Sequence, residues 1–148
     1  MENNRKGLIC GNSDIILQQM LDEGTKVDLV LTDPPYNLNK DFGNNSDNLP
    51  LEDFLAVSKK RIEVCRDLLS SNGSIIWFGI HHYIGFIQYL MYAAGLNYRR
   101  MNIWYYENGF SRLTTAPLAQ YEPFLWFSKS PYKWIYNVDD VRVPYKSA

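Results

Sequence analysis

Two adjacent prolines, Pro34-Pro35, stop the short apolar run Val27-Asp-Leu-Val-Leu-Thr32 and leave Asp33 on one side of the stop and Tyr36 on the other. The run has the length and content of a β-strand. Proline fixes φ and has no N–H, so no strand continues through the pair, and nearby carbonyls lose two donors they would otherwise meet. Around this stop, strand-like and helix-like segments alternate. Gly7-Leu-Ile-Cys10 is a short apolar piece, and Ser13 to Glu23 is helix-like, with Asn12 or Ser13 as N-cap and Gly24 as stop. Asn37 to Pro50 holds five Asn, two Asp and a Gly and reads as a mobile polar loop. Leu51 to Leu69 is an amphipathic helix that offers Phe54, Leu55, Val57, Ile62, Val64, Cys65 and Leu68 to a core. Asn72-Gly73 then turns the chain into Ser74-Ile-Ile-Trp-Phe78, a strand apolar enough to be buried on both faces. His82 to Ala94 reads as a helix ended by Gly95, Tyr98 to Glu107 and Tyr121 to Ser128 as aromatic-rich strands, and Trp134 to Asn137 as a last short strand. The order predicts an α/β fold with a mostly parallel sheet that ends in a C-terminal antiparallel hairpin.

The chain has 148 residues, the length of a single domain, and its 46% hydrophobic and 21% charged residues exclude a disordered chain. No apolar run approaches the roughly 20 residues of a membrane span. The first residues carry charge with no apolar core behind them, unlike a signal peptide, so a cytoplasmic location is expected. Cys10 and Cys65 lack metal-ligand spacing and read as small buried hydrophobes, which leaves no metal site in view. His81-His82 are neighbours that diverge on a helix and read as helix-start or surface residues. Charge is uneven. Residues 1–94 hold 8 Lys/Arg and 12 Asp/Glu, whereas residues 95–148 hold 7 and 4. A net positive second half suits an anion such as a phosphate backbone, although chance clustering on a solvated surface accounts for it equally well.

Chemistry concentrates at Thr32-Asp33-Pro34-Pro35-Tyr36-Asn37. In an open α/β sheet, ligands bind beyond the carboxyl ends of the strands, where this segment falls. A carboxylate, free carbonyls and a flat ring form a rigid cup suited to the exocyclic amino group of a nucleobase. The bland reading is a Pro-Pro turn that ends a strand. The loop Asn108 to Gln120, with Ser111, Arg112, Thr114 and Thr115, carries one positive charge and no negative one between its first and last residues.

These residues resemble the DNA amino-methyltransferases that use S-adenosylmethionine and carry a D/N/S-P-P-Y/F motif. Leu8-Ile-Cys-Gly-Asn12-Ser-Asp resembles the segment that meets the cofactor adenine, and Gly73-Ser-Ile-Ile-Trp-Phe78 and Phe124-Leu-Trp-Phe-Ser-Lys-Ser130 also fit. Asp140-Val-Arg-Val-Pro-Tyr145 resembles the opening of target recognition in adenine-specific members from restriction–modification systems. The resemblance implies a Rossmann-like methyltransferase sheet. Its implied residues are Asp33, Pro34, Pro35 and Tyr36 for catalysis, Asn12, Ser13 and Asp33 for the cofactor, and Asn37, Lys40, Arg112, Thr114 and Thr115 for double-stranded DNA. Residues 1–148 then form a single, partial catalytic domain, with target recognition beginning at about 138–148.

Only 32 residues precede Asp33, too few for two β-α units, which need on the order of 50 residues. This resembles the permuted β-class order, with the catalytic segment first and the glycine-rich cofactor motif last. That motif is absent, since no two of the nine glycines are separated by a single residue. The expected sheet is therefore incomplete, lacking its cofactor-lobe strands, and a homodimer or a complementing C-terminal fragment is the expected partner. The implied reaction is methylation of adenine N6. N4-cytosine methylation is the alternative, and a truncated or split chain, inactive or merely DNA-binding by itself, is another.

Overall fold

The computed structural model describes residues 7–41, 43, 47–109, 115 and 117–144. The elements are α1 (Ser13–Asp22), β1 (Val27–Thr32), α2 (Leu51–Leu68), β2 (Leu69–Phe78), α3 (Ile84–Ala93), β3 (Asn97–Tyr105), β4 (Tyr121–Ser128) and α4 (Val138–Val141). The Asn12 side chain caps α1 by accepting from the N–H of Asp14 at 2.9 Å, and Gly24 ends it at φ +73°. Gly95 ends α3 in the same left-handed conformation, at φ +79°.

The four strands form one open sheet in the order β1-β2-β4-β3. β1 and β2 are parallel, and β4 runs antiparallel to both β2 and β3. The α/β class and the terminal hairpin agree with expectation, but the parallel share is smaller, at one pairing of three among the described strands. The cause is that β4 inserts between β2 and β3. Gly7–Cys10 is not a strand, and Leu8 and Ile9 lie exposed beside no described strand. Trp134–Asn137 is likewise irregular, although its Ile135 N–H donates to the Asn72 carbonyl of β2 at 3.2 Å. The Arg99 guanidinium sits 3.8 Å from the centre of the Trp134 ring, and Tyr136 lies 5.2 Å from Trp126. β2 begins five residues before Ser74, directly from α2. Asn72-Gly73 marks an irregularity in register rather than a turn, and a side chain on Gly73 would press on the Val27 carbonyl at 3.1 Å.

The core lies on one side of the sheet. Ile62, Cys65 and Leu68 of α2 and Ile84, Ile87 and Met91 of α3 meet Leu69, Ile75 and Trp77 of β2 and Leu125 and Phe127 of β4. Full burial of each large aliphatic or aromatic side chain contributes about 1.5–3 kcal/mol. Strand alternation sends Ile76, Phe78, Phe124 and Trp126 to the other face, where they are half-buried, so β2 is not fully buried on both sides. Leu31 pairs with Ile76 on that face and is 63% exposed. Cys65 is buried as expected, Cys10 is exposed, and both His81 and His82 lie on the surface. Among the described residues, no helix is long and apolar enough to cross a membrane.

Candidate active site

The Asp33-Pro34-Pro35-Tyr36 segment leaves the carboxyl end of β1, beside the carboxyl end of the parallel strand β2. Two cavities meet there. One, of about 560 Å³, lies toward α1 and is lined by Asn12, Ser13, Asp14, Thr32, Asp33, Pro34, Pro35, Arg61 and Trp77, among others. The second, of about 260 Å³, is lined by Asp33, Pro34, Pro35, Tyr36, Leu38, Lys40 and Asp47. Asp33, Pro34 and Pro35 form the wall common to both.

At that wall the Tyr36 hydroxyl donates a hydrogen bond to the Asp33 carboxylate. Burial, reinforced by this bond and by the Asp33 charge, raises the Tyr36 hydroxyl well above its usual pKa. Tyr36 therefore stays protonated and remains a donor throughout the working pH range. Tyr36 also lines the smaller cavity.

The structure brings Asn12, Ser13 and Asp33 to one cavity, and Tyr36 and Lys40 to the other. It assigns Asn37 a different task from the expected DNA contact. The Asn37 amide donates to the Leu49 carbonyl at 2.9 Å and accepts from the Leu49 N–H at 2.7 Å, so it closes the loop on itself. Thr115 is exposed, and Arg112 and Thr114 lie outside the described residues. Trp104 and Tyr105, at the end of the aromatic-rich strand β3, are 58% and 63% exposed.

Sequence reasoning missed Asp14, Arg61, Trp77 and Asp47. Arg61 of α2 makes a bidentate pair with Asp14, from Nε at 2.7 Å and from Nη2 at 3.0 Å, on the floor of the larger cavity. Asp14 closes the segment that resembles the cofactor-adenine contact and lies in the first turn of a helix, without a visible partner. Nothing in the pattern linked it to a residue 47 positions away. The Arg61 hydrogen bond, opposed in part by burial, lowers the Asp14 pKa below its ordinary 3.8. A lowered carboxyl contributes stability above its unfolded value and loses it as pH falls through the folded one. Both side chains are a third or more exposed, so Arg61→Met is expected to cost no more than about 1 kcal/mol at pH 7. That cost should shrink as pH falls below 3.8, the ordinary carboxyl value, as urea midpoints of parent and variant at pH 7 and at acidic pH would report.

The fold is that of known methyltransferases. M1.HpyAVI in its complex with SAM superposes with a TM-score of 0.65 at 24% identity, over 87% of this chain and 57% of that one. TTHA0409 of Thermus thermophilus, complexed with S-adenosyl-L-methionine, gives a TM-score of 0.56 at 18% identity, over 86% and 58%. The chain belongs to the DNA methylase family, whose model matches residues 27–148. It is 36% identical over 140 residues to the Type II methyltransferase M.HpaI of Haemophilus parainfluenzae, covering 94% of this chain and 44% of the relative. It is also 35% identical over 132 residues to the Type II methyltransferase M.BglII of Bacillus subtilis, covering 82% and 35%. The chain thus spans less than half the length of these two relatives.

Proposed function

We propose that this chain is the catalytic part of a DNA methyltransferase of restriction–modification type, which moves a methyl group from S-adenosylmethionine to N6 of an adenine in double-stranded DNA. The observation that carries the reading is the pair of cavities meeting at Asp33-Pro34-Pro35. A methyl donor on one side and a methyl acceptor on the other would face each other across the one segment that touches both among the described residues. The larger cavity fits part of a nucleoside cofactor, because it combines the polar Asn12, Ser13 and Asp33 with the apolar Trp77 surface. Asn12, Ser13 and Asp33 would hold it. When bound, S-adenosylmethionine supplies an electrophilic methyl on a sulfonium, with a neutral thioether as leaving group.

An aromatic amino nitrogen is a poor nucleophile because its lone pair is delocalised into the ring. N6–H donors to the Asp33 carboxylate and the Pro34 carbonyl draw that lone pair out of conjugation and aim it across the wall. Positioning and preorganised acceptors are the protein's contribution. The adenine must leave the duplex to reach the smaller cavity, and the Tyr36 ring is the surface on which it stacks. The Tyr36 hydroxyl holds an Asp33 oxygen until the base arrives, so the amino group takes over an acceptor already aimed. Lys40 at the cavity rim, with Arg112, Thr114 and Thr115 of the β3–β4 connection, would meet the DNA backbone. The exposed β1 edge takes a further segment of the same protein, a complementing C-terminal fragment, or a second copy as a homodimer.

The test is direct. The protein carrying this chain is incubated with labelled S-adenosylmethionine and duplex DNA, and the nucleosides are separated. Labelled N6-methyladenine is expected. Labelled N4-methylcytosine would overturn the adenine assignment, and no labelled base at all would overturn the function. Tyr36→Ala should reduce turnover on duplex DNA about tenfold, as loss of a stack of roughly 1–3 kcal/mol implies. A 2-aminopurine at the target position should then give a smaller fluorescence rise on binding, whereas Tyr36→Phe, which keeps the ring, should retain most of it. An unchanged rise with Tyr36→Ala would contradict the stacking role.

A further inference from the structure

We propose that Asp47 is a positioning residue that builds the base-binding cavity by holding the backbone of residues 37–40 in place; this rests on the methyl-transfer reading above. Asp47 is only 1% exposed, in a loop whose composition predicted mobility. One of its carboxylate oxygens accepts from the N–H of Asn37 at 2.6 Å, and the other accepts from Leu38 at 3.0 Å and Lys40 at 2.8 Å. Its own carbonyl accepts from the N–H of Asn39 at 2.6 Å. Four successive backbone donors therefore converge on one residue.

The backbone conformation explains how. Asn37 and Asn39 both adopt the left-handed region, at φ 61° and 59°, which asparagine tolerates better than other side chains. Left-handed residues set at alternate positions turn successive N–H groups to the same side and form a concave anion-binding nest. Here the chain supplies the anion itself. The three bonds to the carboxylate are charge-assisted and part-buried, the kind that rigidifies a loop most. Leu38, Lys40 and Asp47 itself line the smaller cavity with Asp33 and Tyr36, and Tyr36 directly precedes the held segment. Asp47 thus determines where that wall stands without needing to touch the substrate. Asparagine at this position would keep the size but turn an NH2 toward N–H donors, so at least one of the bonds is lost in either amide orientation.

Two measurements on the protein carrying this chain test the role. In the parent, amide exchange at Asn37, Leu38 and Lys40 should be slowed well beyond the rates of an open loop. Exchange at unprotected rates would overturn the proposal without any variant. Asp47→Asn should then lower kcat/KM for duplex DNA about tenfold or more, the size of one lost charge-assisted hydrogen bond, and reduce the 2-aminopurine signal. Its dissociation constant for S-adenosylmethionine should stay within about twofold of the parent, because Asp47 lies away from the larger cavity. Cofactor affinity falling by the same factor as turnover would mean general loosening and would overturn the positioning role. Parental turnover in Asp47→Asn would overturn it too. If Asp33→Ala is inactive in the same assay, such a result leaves the methyl-transfer reading standing, whereas an active Asp33→Ala removes that reading itself.

Discussion

Replacement of Asp33 by alanine is expected to lower methyl transfer about a thousandfold, within the range of about 10²–10⁴ that follows removal of a positioned catalytic group. Asp33 borders both cavities and carries a carboxylate that can accept from the attacking amino group. Without it, on the proposed reading, only the Pro34 carbonyl would be left to draw out the lone pair. Asn at this position retains one acceptor and should retain more activity than Ala. The fold should survive, because Asp33 is exposed and its side-chain bond is to Tyr36 three residues away rather than to the core. Single-turnover assays with labelled cofactor, with circular dichroism as the control for folding, measure the effect. Activity within about tenfold of the parent, equivalent to roughly 1.4 kcal/mol of barrier, would remove Asp33 from its catalytic role.

The second large effect concerns the free side of β1. This strand lies at one end of the sheet and pairs only with β2, so one row of its N–H and C=O groups has no strand partner among the described residues. Leu29 and Leu31 are 52% and 63% exposed on the face away from the helices. An apolar strand with an open edge is a template for further pairing. The larger cavity also lacks a tight glycine turn, since the sequence has no G-x-G. Expressed as these 148 residues, the chain is therefore expected to bind S-adenosylmethionine no more tightly than about 1 mM, near −4 kcal/mol. A longer protein in which a further segment covers β1 should bind at least about a hundredfold more tightly, a difference of some 2.7 kcal/mol. Calorimetry on both forms, with sedimentation to report self-association of the shorter one, decides the matter. Micromolar cofactor binding by a monomer of the shorter form would show that the described cavity is already sufficient.

Local pattern was enough for most elements. Val27–Thr32 and Tyr121–Ser128 are strands over the residues that their apolar and aromatic content marks out, and Asn12 and Gly24 bracket α1 as their side-chain and backbone chemistry requires. The D-P-P-Y segment was legible for the same reason, because proline acts on its own backbone and its immediate neighbours. Other features were beyond local pattern. Gly7–Cys10 and Trp134–Asn137 have strand-like composition, yet a strand exists only where a partner strand sustains a ladder of hydrogen bonds; Ile135 reaches the Asn72 carbonyl of β2 at 3.2 Å, but neither segment is paired in the sheet. The insertion of β4 between β2 and β3, which made the sheet more antiparallel than expected, is a choice among pairings distant in sequence.

The site divides in the same way. By itself, the sequence marked out Asp33, Pro34, Pro35 and Tyr36 at the end of β1 as the candidate site, since they are contiguous and their effects are local. Only the tertiary structure decided what surrounds them. It pairs Asp14 with Arg61 across 47 positions, redirects the Asn37 amide to Leu49, and buries Asp47 in a loop that composition marks as mobile. A polar side chain carries no sign in sequence of whether it will face water or converging N–H groups. That depends on long-range packing and on backbone angles at Asn37 and Asn39, which take shape only when the whole loop closes.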